Sequence, residues 1–147
     1  MSGTDDRLAI VDEVLAAPFP EADTKVGGER WGGPGHHLCV LKASQDFWDD
    51  RSEEVVEAAE EEIEAARDAL VAALRERWGD PREVDLTPFL MADAPAPDPQ
   101  AFLCGVAGGM LVWPRPDGRW LAIAIGQADA EFAIMLLAAV GEGPVGA

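Results

Sequence analysis

Basic residues, sulfur, serine, tyrosine and long apolar runs are all scarce in this sequence, and each shortage excludes something. Eleven Lys and Arg stand against 28 Asp and Glu, which gives a formal net charge of −17. So acidic a surface repels phosphate backbones and anionic lipid headgroups, so direct nucleic-acid binding and membrane-surface binding are not expected. A macromolecular partner met through the general surface should instead be a basic protein. Cys39 and Cys104 are the only cysteines, with no Cys-x-x-Cys pair, and the expectation is two reduced thiols. The serines are Ser2, Ser44 and Ser52, none within a Gly-x-Ser-x-Gly turn, which argues against a serine-hydrolase elbow. The absence of tyrosine weakens the case for a polar-aromatic ligand pocket. No apolar run approaches the ~20 residues that span a bilayer. The start, Met-Ser-Gly-Thr-Asp-Asp, lacks the basic and apolar regions of a signal peptide, so the expected location is the cytoplasm.

What is present reads as one globular domain over residues 1–147, with 48% hydrophobic and 27% charged residues. Its clearest stretch runs from Phe102 to Val140. Val106 to Trp113 and Arg119 to Gly126 are apolar runs joined through Asp117-Gly118, a strong hairpin signal because Gly tolerates the positive φ of tight turns. On the second run Leu121, Ile123 and Ile125 share one face, while Trp120, Ala122 and Ala124 share the other. Neither face is polar, so each needs a cover. Asp129 is placed to cap a helix over residues 130–140, with Gly141 as its stop.

Earlier in the chain, Leu8, Val11 and Leu15 make the apolar stripe of a first helix over about 4–17, ended by Pro18. Residues 19–35 read as loop, with a short edge strand near Thr24 to Val26 and Trp31 within a glycine-rich turn. His37 to Ala43 reads as a strand with Leu38 and Val40 on one face and Cys39 and Leu41 on the other. Val56, Ala59, Ile63, Ala66, Leu70, Leu74 and Trp78 recur at three- and four-residue steps, which predicts a helix over about 51–78. An Asp50–Glu53 capping box opens it and Gly79 ends it. Such a helix is roughly 40 Å long and can cross a whole sheet face. Glu83 to Leu86 is a short strand, followed by a proline-rich surface crossing over residues 94–99. The fold class is α+β: a mixed or antiparallel sheet of three to five strands, one C-terminal β-hairpin, one long helix and two shorter ones. If the second hairpin face is left open by the first helix, a two-fold mate should cover it as a homodimer.

Candidate chemistry starts with the acid run. Between Asp46 and Glu64 there are ten acidic residues and one Arg. Glu57, Glu61, Glu64 and Asp68 fall on one line of the long helix, with Glu60 beside it. Like charges at i, i+4 destabilise a helix by a few tenths of a kcal/mol per pair, so the apolar stripe must hold it. The face serves either solubility or docking of a basic partner. A di-metal reading fails because Glu-x-x-His motifs are absent. His37 and Cys39 point to one face of their strand and, with Cys104, offer three soft ligands, one short of a usual structural zinc set. A Cys-His nucleophilic pair lacks an orienting third group. No metal or cofactor is expected. The leading function is a small, non-enzymatic acidic binding protein (adaptor, chaperone or inhibitor-like) for a basic partner, through Glu57, Glu60, Glu61, Glu64 and Asp68. The alternative is an enzyme or small-ligand binder with a pocket between the long helix and the sheet, lined by Cys39, Trp48 or Cys104.

Overall fold

The computed structural model describes residues 3–26, 29–94 and 96–145. Residues 27–28 of the loop before β2, residue 95 of the proline-rich crossing, and the first two and last two residues lie outside them. The described chain forms one seven-stranded sheet and four helices, an α+β architecture. In order these are α1 (Gly3–Ala16), β1 (Thr24–Val26), β2 (Arg30–Gly33), β3 (His36–Ala43), α2 (Glu53–Trp78), β4 (Arg82–Asp85), α3 (Thr87–Leu90), α4 (Gln100–Cys104), β5 (Gly109–Pro114), β6 (Arg119–Gly126) and β7 (Met135–Glu142). The strand order is β1-β2-β3-β7-β6-β5-β4, and every neighbouring pair is antiparallel.

The sheet is therefore wider than the three to five strands expected, and two segments account for the difference. Residues 135–142 form a strand, β7, where a capped helix over 130–140 was expected. Met135 to Val140 is rich in Leu and Ala, good helix formers, and a short apolar run without polar positions carries no period to separate helix from buried strand. Packing decides: β7 lies between β3 and β6 and is buried on both faces. Asp129 closes a turn, accepting the Ala130 N–H at 2.8 Å. Gly141, expected to stop a helix, lies under the Trp120 indole, where an added Cβ would collide with the ring. The second segment is β2. Its glycines hid a strand, and Trp31 pairs across to Leu38.

Helix α2 matches its expected stripe: Ala59, Ile63, Ala66, Leu70 and Leu74 are buried, and Gly79, at φ 84°, donates to the Arg75 carbonyl to end it. The capping box does not form. The helix begins at Glu53, and Asp50 instead accepts the Ser52 N–H at 2.9 Å in the turn before it. Between the middle of the sheet and its far edge, α2 joins β3 to β4, which run parallel but are not neighbours. A bulge between Val40 and Lys42 turns Lys42 to the α2 side, where it pairs with Glu62 at 2.9 Å.

Each face of the sheet has its own core. Leu121, Ile123, Leu136, Ala138 and Val140 pack under α1 and α2. Trp120, Ala122, Ala124, Leu137 and Ala139 pack with Leu86 and Leu103, from the α3–α4 connector. The second hairpin face is thus covered from within the chain, which removes the reason given above for a two-fold mate. Trp113 and Trp120 do not pair across the hairpin. Trp113 stands opposite Leu121 and Trp120 opposite Pro114, so the two indoles enter opposite cores.

Candidate functional site

The acidic residues on α2 lie where the helical period puts them. Glu57, Glu60, Glu61, Glu64 and Asp68 are all exposed, opposite the buried stripe. Asp68 is held by its neighbour Arg67 at 3.1 Å. Glu57, Glu60, Glu61 and Glu64 have no ion-pair partner among the described residues. Nearby cations are already engaged: Lys42 with Glu62, Arg51 with Glu131 and Arg67 with Asp68. The face is a strip of uncompensated negative charge on a helix anchored by its other side.

Cys39, Trp48 and Cys104 do not meet. Cys39 is buried on β3 toward the α1–α2 side, and burial pushes its thiol up to about 11, so it stays protonated and inert at neutral pH. Cys104 lies on α4, across the sheet, donating to the Ala101 carbonyl. Trp48 is 61% exposed and stands edge-on to Phe132, ring centroids 5.4 Å apart. His37 shares the face of Cys39, as its spacing implied, but turns to the end of α1. There its Nε2 donates to the Ala17 carbonyl at 3.2 Å and its ring lies 5.1 Å from Phe19. Burial holds its imidazole below the ordinary value, and Arg119 and Arg30 act in the same direction. Arg119 itself donates to the Leu15 and Ala17 carbonyls and stacks on Phe19. This cluster caps a helix end. Among the described residues no group of three or more His, Cys, Asp or Glu is arranged to hold a metal ion.

A cleft does open between the long helix and the sheet, with other residues around it. It measures ≈ 1040 Å³ and lies beside α2 over the β4–β5–β6 end of the sheet. Val71, Leu111, Ile123 and Ile125 supply its apolar floor, and Arg67, Asp68 and Arg75 face Glu83 and Asp85 across it. The Thr87 N–H, 2.9 Å from Asp85 Oδ1, keeps that carboxyl below the usual carboxylate range. Arg75 reaches Asp80 at 3.6 Å. A smaller recess of ≈ 240 Å³ continues the cleft through the shared Gly108 and Ile125, and brings in Glu60 and Glu64. Sequence reasoning missed the floor. Its one signal was the parity of the hairpin, which puts Leu111 on the face of Ile123.

On the opposite face, at the other end of the sheet, Trp31, Val40, Phe102 and Met135 surround a second recess of ≈ 580 Å³. Trp31 and Phe102 meet edge-on there, at 5.1 Å. Among the described residues no helix is long and apolar enough to cross a membrane. Comparison with protein-family models, curated proteins and solved structures found no match to this chain.

Proposed function

We propose that the protein is a non-enzymatic acidic binding protein, of adaptor, chaperone or inhibitor type, that engages a basic protein partner through α2. One observation carries this reading: Glu57, Glu60, Glu61 and Glu64 stand exposed and without countercharge on a helix whose opposite side is locked into the core. Rigid, like-charged rows repel one another and cost stability. A basic partner turns that cost into association, chiefly by steering encounter.

A second reading, an enzyme or small-ligand site in the α2 cleft, is favoured by the cleft's volume of ≈ 1040 Å³. Its polar groups are exposed carboxylates and arginines that face carboxylates, and neither cysteine lines it. That arrangement suits a charged docking surface better than a nucleophile and its base.

The test is a pull-down of basic protein that is released by salt, repeated with Glu57, Glu60, Glu61 and Glu64 all changed to Gln. Stability should hold within about 0.5 kcal/mol or rise slightly. Affinity for the recovered partner should fall through slower association, and its salt dependence should flatten. Unchanged binding would reduce the face to a solubilising role.

A further inference from the structure

Helix α2 packs over β6, β7 and β3, and α1 lies against β3, β7 and α2. Among the described residues no helix packs over β4 and most of β5 on that face; Trp113, near the end of β5, alone meets the end of α2. At the usual strand spacing two strands are roughly 10 Å wide, about the diameter of one helix. The cleft is therefore a vacant helix position beside α2. Trp78 and Trp113, edge-on with centroids 6.4 Å apart, lie where α2 runs out toward Gly79, to which the Trp113 indole donates at 2.9 Å. Toward the start of α2 it continues into the recess of Glu60 and Glu64.

The walls say what would fit. Leu111 and Ile125 are half-buried on the floor and could be covered further. Five carboxylates border the slot: Glu60, Glu64 and Asp68 from α2, Glu83 and Asp85 from β4. Its two arginines each lie within 3.6 Å of a carboxylate of this chain. A second copy of a chain with net charge −17 would bring more negative charge into a negative slot, so charge disfavours self-association there.

We propose that this slot receives an amphipathic helix of the partner protein, with its apolar stripe on Leu111 and Ile125 and Lys or Arg along both edges. The inference rests on the acidic-binding reading above and adds where and in what form the partner docks. An apolar face laid in a groove supplies burial, and the charged banks set which helices qualify.

The probe is a synthetic peptide of about five helical turns, with leucines at i, i+3, i+4 and i+7 and basic residues on both flanks. A permuted peptide of the same composition, without the stripe, is its control. The amphipathic peptide should bind the full chain more tightly than its control. Ala72→Trp, on an exposed position of the α2 bank, and Gly108→Trp, where an added Cβ meets nothing within 4 Å, should each plug the slot. Each should weaken the amphipathic peptide by at least about tenfold and leave the melting transition in place. Glu57→Gln with Glu61→Gln, outside the slot, should weaken both peptides alike and by less. Equal affinity for the two peptides, or full binding by both plugged variants, overturns the slot while the acidic face still stands as the docking surface. Failure of both peptides to bind at low salt overturns the slot and the acidic reading together. A dimer in sedimentation that Ala72→Trp dissociates gives the slot to a second copy and overturns it as well.

Discussion

The two faces of the sheet are left open at opposite ends, and they differ in charge. Under α1 and α2 the open end is at β4 and β5, a cleft walled by Glu83, Asp85, Asp68 and two arginines. Under α3 and α4 it is at β1 and β2, where Trp31, Val40, Phe102 and Met135 meet, and among the described lining residues Asp23 and Lys25 carry charge. Both gaps have one origin, a seven-stranded sheet broader than the helical layer on either side. Their selectivity differs. An apolar recess accepts apolar surface with little discrimination. A cleft with fixed charges on both banks rejects acidic segments as strongly as it favours basic ones. The docking proposed above therefore falls to the first gap, whose lining is charged, rather than to the second, whose lining is mostly apolar.

The sharpest way to break this comparison is to remove what both faces share, strand β6. Ile123 is 1% exposed between the sheet and α2. Ile123→Asp buries a charge without a partner and should cost more than about 4 kcal/mol, leaving the chain unfolded or insoluble. A soluble product with an unchanged melting transition would make β6 peripheral and dissolve the two-face description.

The opposite face is tested by Gly141→Val. The new side chain would collide with the buried Trp120 indole, and overpacking of this kind costs about 1–3 kcal/mol. The urea midpoint should drop accordingly and recover in part when Trp120→Leu makes room. A midpoint within error of the parent would show that this face yields where the α2 face does not.

The smallest effect is at His37, where the end of α1 meets the sheet. Its folded-state pKa is lowered, chiefly by burial, so the folded chain binds the proton less readily than the unfolded one. The contribution of neutral His37 is therefore present above the unfolded value of about 6.5 and is lost as pH falls through and below it. The parent should lose stability relative to His37→Gln between about pH 7 and pH 5.5. Gln keeps a donor for the Ala17 carbonyl, so parallel pH profiles for the two proteins would exclude this contribution.

How much of this was legible depended on whether a segment carried its own period. Helix α2 did: the spacing from Val56 to Trp78 fixed both the buried stripe and the exposed line of Glu57, Glu61 and Glu64. The paired strands of the hairpin did, through Asp117-Gly118 and the alternation of Leu121 with Ala122. Met135 to Val140 did not, because it has neither an Asp-Gly turn beside it nor the regular alternation of large and small residues seen in β6, and its leucines and alanines favour helix locally. The cleft was legible only as a location. Its floor joins Val71 of one element to Leu111 and Ile125 of two others, a juxtaposition set by strand order. Cys39 and Cys104 were grouped by chemistry alone, and the sheet passes between them.

The position of β7 has a temporal consequence. Strands β1–β3 and β4–β6 are two separate half-sheets whose inner edges, β3 and β6, touch only through β7. Of the seven strands it is the last in sequence, so a ribosome delivers the keystone after everything it must join. Until residues 135–142 emerge, both half-sheets carry an unpaired inner edge, and the most hydrophobic part of the molecule waits on its final strand. The β6–β7 pairing is local in sequence, so the long-range contact that joins the two halves is β3 with β7.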